Sequence, residues 1–442
     1  MLSLMAFGMV ATFMVLIMTK RVSALIALIL VPILFALLAG FTSGLGAMML
    51  AGVKELAPTG VMLVFAILYF GLMIDVGLFD PLIKRIVRLV DGDPVRILLG
   101  TAALALVVSL DGDGATTYMI TTAAMLPLYR HMKMDVRKMA CIIIMAGMVM
   151  NILPWGGPTA RVMTVLHLDA SQIFVPLLPA MATTACWVFF VAWRFGLRER
   201  ARLAQLPADA VDEQASPETV VAENAEGVLK SRPGLAWFNL ALTIALMAAL
   251  IMALLPLPIL FMVAFAIALT VNYPSLQHQR ERIAAHAPNA LAVAGMVFAA
   301  GIFTGILSGT KMVDAMSASV IALIPPALGP YLAPITAVIS IPFTFLISND
   351  AFYFGMLPIL AQTGAEYGLT AAEIGRASLI GQQLHLLSPL VPSTYLLVGL
   401  AGVEFGEHQR FTLKWALGSC LVFLVTCLAF GVFPLFATAA GG

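Results

Sequence analysis

Charge is what this sequence has least of: Asp, Glu, Lys and Arg together make up 11% of its 442 residues, against about a quarter in a typical soluble domain. With 61% hydrophobic residues and a mean hydropathy of +1.01, the chain reads as an all-α, multi-pass membrane protein whose first partner is the lipid bilayer. A net charge of +1 singles out no further partner, and nothing points to nucleic acid. Cysteine is scarce too. Cys141, Cys186, Cys420 and Cys427 stand singly inside apolar segments, with no metal-ligand spacing, so packing is their expected role. No GxxxxGK[ST], GxSxG or HExxH occurs, which removes an ATP-driven pump and the common membrane hydrolases. The basic Lys20 and Arg21 follow the first apolar stretch instead of preceding it, unlike a cleaved signal peptide.

What is present is a set of apolar runs near 2–19, 22–41, 58–79, 172–194, 235–254, 257–273, 288–308 and 411–437, several close to the roughly 20 residues that cross a bilayer as a helix. Four polar runs interrupt this pattern: "SLDGDGATT" (Ser109 to Thr117), "NILPWGGPTAR" (Asn151 to Arg161), "ISNDAFYF" (Ile347 to Phe354) and "HLLSPLVPST" (His385 to Thr394). Ionisable groups and broken backbone survive at membrane depth only where they line a protein cavity, so these runs mark a substrate or ion path. Breaks meeting from both sides form a closed site, which disfavours an ion channel.

Sliding the chain against itself by 234 positions superposes Gly71-Leu72-Met73 on Gly305-Ile306-Leu307, Asp80 on Asp314, Gly147 on Gly381 and Pro158-Thr159 on Pro392-Ser393. Met125-Leu126-Pro127 pairs with Met356-Leu357-Pro358 at 231. Two repeats follow, 1–195 and 235–442, joined by a polar cytoplasmic linker at 196–234. In the first, the apolar arms Ile97–Leu110 and Tyr118–Tyr129 hold 14 and 12 residues, about 21 and 18 Å as helices against a core of about 30 Å. Neither arm crosses alone, and both outer ends are basic (Lys84, Arg85, Arg88, Arg96; Arg130, Lys133, Arg137, Lys138). The positive-inside rule then makes 97–129 a re-entrant hairpin with Asp111 to Thr117 at its tip. Five crossings and one hairpin per repeat invert the second repeat, whose hairpin, 331–362, enters from outside with Ser348-Asn349-Asp350 at its tip. All but four of the 24 Lys and Arg are then cytoplasmic. Broken helices are expected at 137–166 and 372–398, and inverted repeats with discontinuous helices are a secondary-transporter plan.

Each repeat thus contributes a hairpin tip and a helix break. Pro154, Gly156, Gly157 and Pro158 interrupt the first hydrogen-bond ladder, leaving orphan N–H groups that attract anions, beside Asn151 and Thr159. The second break offers Ser388, Ser393 and Thr394, and the hairpin tips offer Thr116, Ser348 and Asn349. Arg161 after the first break is either a bidentate carboxylate ligand or the structural partner of Asp111 or Asp113. His385 is a proton carrier, a hydrogen-bond donor or a packed core group. Asp111, Asp113 and Asp350 contradict a plain anion site, and a hard divalent cation travelling with the anion resolves the contradiction; the other reading of Asp111 and Asp113 is a tight turn capped by their own carboxylates.

"LDGDGATTYMITTAAMLPLY", "NILPWGGPTAR", "SNDAFYFGMLPIL" and "SPLVPSTYLLVGLAGVEFGEHQRF" resemble the bacterial citrate–metal:proton symporter family, CitMHS, within the ion transporter superfamily, over essentially the whole chain. The resemblance implies uptake of citrate complexed to a divalent cation of the Mg2+ or Ca2+ type, coupled to protons, across the inner membrane, with no permanent cofactor. The wider superfamily implies a homodimer and an elevator motion. Asp-Gly-Asp-Gly and Ser348-Asn349-Asp350 stand where relatives carry Ser-Asn-Thr, which weakens transfer of a sodium site; a sodium-coupled di- or tricarboxylate symporter is the alternative. Arg161 and the helix ends would then bind citrate, Asp111, Asp113 and Asp350 the metal, and Asp113, Asp350 or His385 the coupled proton.

Overall fold

The computed structural model describes residues 2–19, 21–78, 85, 92–112, 114–205, 235–252, 254–323, 325 and 327–437. Among them every regular element is helical. The first half holds α1 (Leu2–Met18), α2 (Ala24–Leu38), α3 (Leu45–Asp75), α4 (Pro94–Val108), α5 (Gly114–His131), α6 (Val136–Met150), α7 (Gly157–Leu166) and α8 (Leu178–Leu203). The second holds α9 (Ala236–Ile251), α10 (Leu257–Asn272), α11 (Leu276–Gly309), α12 (Met312–Leu323), α13 (Leu332–Leu346), α14 (Leu357–Ala365), α15 (Ala371–Ser378), α16 (Gln382–His385), α17 (Pro392–Ala401) and α18 (Phe405–Ala429). Leu2 and Ala236 open the first helix of each half, 234 residues apart; Gly157 and Pro392 open the restarted helices, 235 apart. Six helical stretches among the described residues are long and apolar enough to cross a membrane, so the protein is multi-pass.

The helices sort into two packed groups. In the first, α3 lies along α11, with α10 against α3 and α2 against α11. Small residues let these backbones touch: a Cβ on Gly52 would stand 2.0 Å from the Gly301 carbonyl oxygen, and one on Gly305 2.4 Å from that of Met48. Gly301, Gly305 and Gly309 repeat every fourth residue, the spacing by which membrane helices approach closely without a hydrophobic driving force. In the second group α4, α6 and α18 surround α8, α5 packs on α17, and α13 packs on α15 and α16. Caps fix the element starts. Asp93 accepts from the Val95 N–H at 3.1 Å and Asp135 from that of Arg137 at 3.0 Å, while Thr370 and Glu373 form a capping box on α15.

Three expectations change. The linker does not start at 196: α8 runs on to Leu203, because the buried Glu199 carboxylate holds Lys138 on α6 and, at 2.7 Å, Arg202. Residues 206–234 lie outside the described set. The first hairpin arm is also longer than its apolar count, since the Asp93 cap and a 3-10 turn extend it to 18 residues, Pro94–Asp111. Cys141, Cys420 and Cys427 are buried, but Cys186 is exposed on α8 and packs into no core.

Candidate functional site

The first break begins where α6 stops. The Asn151 N–H still reaches the Gly147 carbonyl at 2.8 Å and the Leu153 N–H reaches Met150 at 3.1 Å, after which Pro154 ends the ladder. Gly156 turns the chain: its N–H donates to Leu153 at 2.7 Å, and a Cβ there would lie 2.2 Å from the Asn151 carbonyl oxygen. Pro158 then sits in the first turn of α7, where a missing N–H costs nothing. The Thr159 hydroxyl donates back across the gap to Ile152 at 2.7 Å. The second break repeats this stitch. The Leu387 N–H donates to Leu384 at 3.0 Å, and the Thr394 hydroxyl on α17 reaches the Leu386 carbonyl. Ser388 bonds the Phe345 carbonyl at 2.6 Å, tying the break to the second hairpin.

Each hairpin tip is clamped to the break of its own half. In the first, a 3-10 turn (Ser109–Asp111) and Gly112 at φ +77° reverse the chain. The Trp155 Nε1–H donates to the Leu110 carbonyl at 2.9 Å. In the second, the Thr344 carbonyl lies 2.6 Å from His385 Nδ1, which must carry the proton because a carbonyl only accepts. Leu110 and Thr344 occupy the same position of the repeat. Between the first tip and both breaks lies a cavity of about 150 Å³ lined by Ser109, Gly112, Gly114, Thr117, Asn151 and Ser393, among others. The Thr117 hydroxyl donates to Ser109 at 3.1 Å, and Gly114 faces Ser393 so closely that a Cβ would come within 3.3 Å of the hydroxyl.

The second tip crosses to the opposite half. Arg161 Nε donates to Asp350 Oδ1 at 2.6 Å, and its Nη1 donates to the Gly157 carbonyl at 2.8 Å. Gly157 makes room for this, since a Cβ would stand 2.8 Å from Nη1. Of the two partners expected for Arg161, neither is observed; its carboxylate partner among the described residues is Asp350. Trp155 occupies the space against the first tip, with its ring 2.8 Å from where a Gly112 Cβ would be, so the guanidinium, a turn and a half further on, faces the second tip. Beside the pair, Gln382 joins three elements: its Nε2 donates to Asn349 Oδ1 and to the Tyr353 hydroxyl, both at 2.9 Å, and its Oε1 receives Asn349 at 3.4 Å and Asn151 at 3.5 Å. Ser348 accepts from the Ala351 N–H at 3.2 Å, and the chain continues as a π-helical turn, a feature that recurs at functional sites.

The expected residues therefore gather in one region. Asn151, Gly156, Gly157, Thr159, Arg161, Ser348, Asn349, Asp350, His385, Ser388, Ser393 and Thr394 lie at the breaks and the second tip, Asp111 is buried in the first tip, and Thr116 is half-buried in the first turn of α5. Asp113 lies outside the described residues. No three His, Cys, Asp or Glu side chains cluster as a metal cage among the described residues. Sequence reasoning missed Gln382, Trp155, Tyr353, Ser109 and Thr117. The signal for Gln382 was available: two adjacent amides in the apolar run "LIGQQLHLL" are costly at membrane depth unless engaged.

Against known proteins, a family model described as "Citrate transporter", CitMHS, matches residues 13–381. A "Citrate transporter" of Bacillus subtilis (strain 168) is 60% identical over 435 residues, covering 98% of this chain and 99% of its own. A "Mg(2+)/citrate complex secondary transporter" of the same organism is 48% identical over 442 residues, covering 98% and 100%. Among solved structures, the Alcanivorax borkumensis YdaH transporter is similar at a TM-score of 0.56 and 15% identity, over 90% of each chain. Neisseria gonorrhoeae MtrF is similar at 0.62 and 14%, over 88% of this chain and 84% of its own. These last two speak for the fold alone.

Proposed function

Because the chain belongs to the CitMHS citrate transporter family, we propose that it imports citrate chelated to a divalent cation, coupled to protons, across the bacterial inner membrane. The observation that carries this is the Arg161–Asp350 pair at 2.6 Å beside the restarting α7: one fixed cation and one fixed anion suit a cargo that itself carries both signs. Arg161 and the first N–H groups of α7 receive citrate carboxylates, with Asn151, Ser393 and the backbone of Gly156 and Gly157 around them. Asp350 completes the shell of the metal, which as Mg2+ keeps waters and needs few protein ligands. Asp111 and Asp113 carry the remaining metal or proton work, and His385 acts as the donor that holds the second tip. The relative named for a Mg2+/citrate complex favours divalent metal over sodium, so the sodium-coupled alternative is set aside.

The two halves act as inverted repeats, with 97–129 and 331–362 as re-entrant hairpins. The group around α3 and α11 serves as the scaffold of a homodimer, past which the other group rides as an elevator. Proteoliposome uptake of labelled citrate tests the central reading. After chelation, uptake should return when a single divalent cation is restored and should quicken with acid outside; uptake driven by sodium without any divalent ion would overturn it. Topology is tested in the same vesicles. Lys133→Cys and Arg96→Cys, in a cysteine-free background, should react with an impermeant thiol reagent from one face only, and labelling from opposite faces would remove the hairpin.

A further inference from the structure

The Arg161–Asp350 pair does more than mark the site. The two side chains come from opposite halves, 189 residues apart in sequence. Neither is sealed away: the side chains keep 24% and 15% of their exposure, so a ligand can reach both while water screens neither fully. The guanidinium is folded back onto the first turn of its own helix by the Gly157 carbonyl, and the carboxylate sits beside Asn349, whose amide Gln382 holds. Frame and charges are therefore fixed before any cargo arrives. Resting on the function proposed above, we infer that this ion pair is a lock that opens only by exchanging partners with the ion pair inside the cargo, so that neither free citrate nor free metal ion is carried.

The argument is electrostatic. Free citrate can satisfy Arg161, but it strips Asp350 of its partner and brings further negative charge beside it. A free divalent ion can satisfy Asp350, but it leaves the guanidinium unpaired next to two more positive charges. Removing one member of a desolvated pair is strongly unfavourable, because the other remains as an uncompensated charge. The chelate supplies both replacements at once: a carboxylate for Arg161 and a cation for Asp350. Each protein charge then changes partner without ever standing alone. The same pairing closes the empty carrier, since with no cargo the two residues neutralise one another.

The test measures binding of citrate and of Mg2+, together and separately, to purified full-length protein. In wild type, binding of either alone should be weaker than binding of the mixture by more than solution chelation explains, by about a hundredfold or more. Asp350→Asn should collapse that preference, with citrate in excess chelator binding at least about tenfold tighter than to wild type and within about threefold of the chelate. Asp350→Glu keeps the charge and should keep the metal requirement. Arg161→Gln with Asp350→Asn should remain folded, as both charges leave together, yet bind neither form well. An Asp350→Asn protein that keeps the wild-type preference would overturn the lock while leaving metal–citrate transport standing. If that variant fails to fold, purely additive binding of citrate and Mg2+ to wild type would overturn it equally. Wild type that carries citrate with no divalent ion would instead remove the function on which the lock rests.

Discussion

In the first half the chain breaks after Leu153 and is stitched by Thr159 to the Ile152 carbonyl; in the second it breaks after Leu387 and is stitched by Thr394 to the Leu386 carbonyl. The acceptors are 234 residues apart, and the donors 235. Side chains of higher cost do not follow this correspondence. At the repeat positions of Arg161, Asp350, Gln382 and Trp155 stand Tyr395, Thr116, Met148 and Pro389. A carbonyl left over by a helix break has the same need in either copy, so the bonds that satisfy it recur. A buried charge is useful only where its counter-charge is, so cation and anion were placed once each, in different halves, and meet across the pseudo-symmetric joint. Duplication supplies the frame, and divergence supplies the chemistry.

The largest expected effect tests how far the frames differ. Gly156 has no room for a side chain, whereas its repeat counterpart is Leu390, exposed at 43%. Gly156→Ala should destabilise by at least about 1–3 kcal/mol, because the clash is with backbone and no rotamer relieves it. Uptake should be lost in that variant, while Leu390→Ala should melt and transport near wild type. Equal melting temperatures for the two in detergent would mean that the first break relaxes freely.

A smaller effect concerns the ring N–H groups that clamp the tips. Trp155→Phe and His385→Phe should each leave a hairpin carbonyl without its donor, at about 1–3 kcal/mol and with a clear drop in uptake rate. His385→Gln restores an N–H donor and should recover much of the rate with the pH profile of uptake unchanged. A flattened pH profile in His385→Gln would return the coupled proton to the imidazole and end the parallel with Trp155.

Much of this frame was legible in the amino-acid order. Proline and glycine at 154–158 and 389–392 announce broken helices, and the Asp, Ser and Gly runs announce tips, because each residue type has a local backbone consequence. The partner of Arg161 was not legible. Asp111, Asp113 and Asp350 are equivalent by composition, and the choice among them depends on where Trp155 packs, a tertiary fact with no local trace. Gln382 was hidden for a related reason: its value lies in reaching Asn151, Asn349 and Tyr353 at once, which only the folded joint brings together. The end of α8 was misplaced because Glu199 and Arg202 read as linker charges until Lys138 lies beside them.

The smallest effect isolates the stitch itself. Thr159→Val and Thr394→Val change a hydroxyl for a methyl at constant shape, so packing is preserved and only the bond to Ile152 or Leu386 is lost. Both threonines are fully buried, so no water replaces the hydroxyl at once, and each change should cost about 1 kcal/mol. Similar shifts in melting temperature are expected for the two variants if the repeats are energetically as well as geometrically alike. The donors belong to different helices and share no acceptor, so the double variant should lose the sum. Uptake sharpens the comparison, because Thr159 lies on the helix that carries Arg161 and its counterpart helix carries no cation. Thr159→Val should therefore weaken apparent citrate affinity more than Thr394→Val does, at matched loss of stability. Equal affinities in the two variants would mean that the position of the guanidinium is set by Asp350 and Gly157 alone, and that the stitch serves folding in both halves and nothing else.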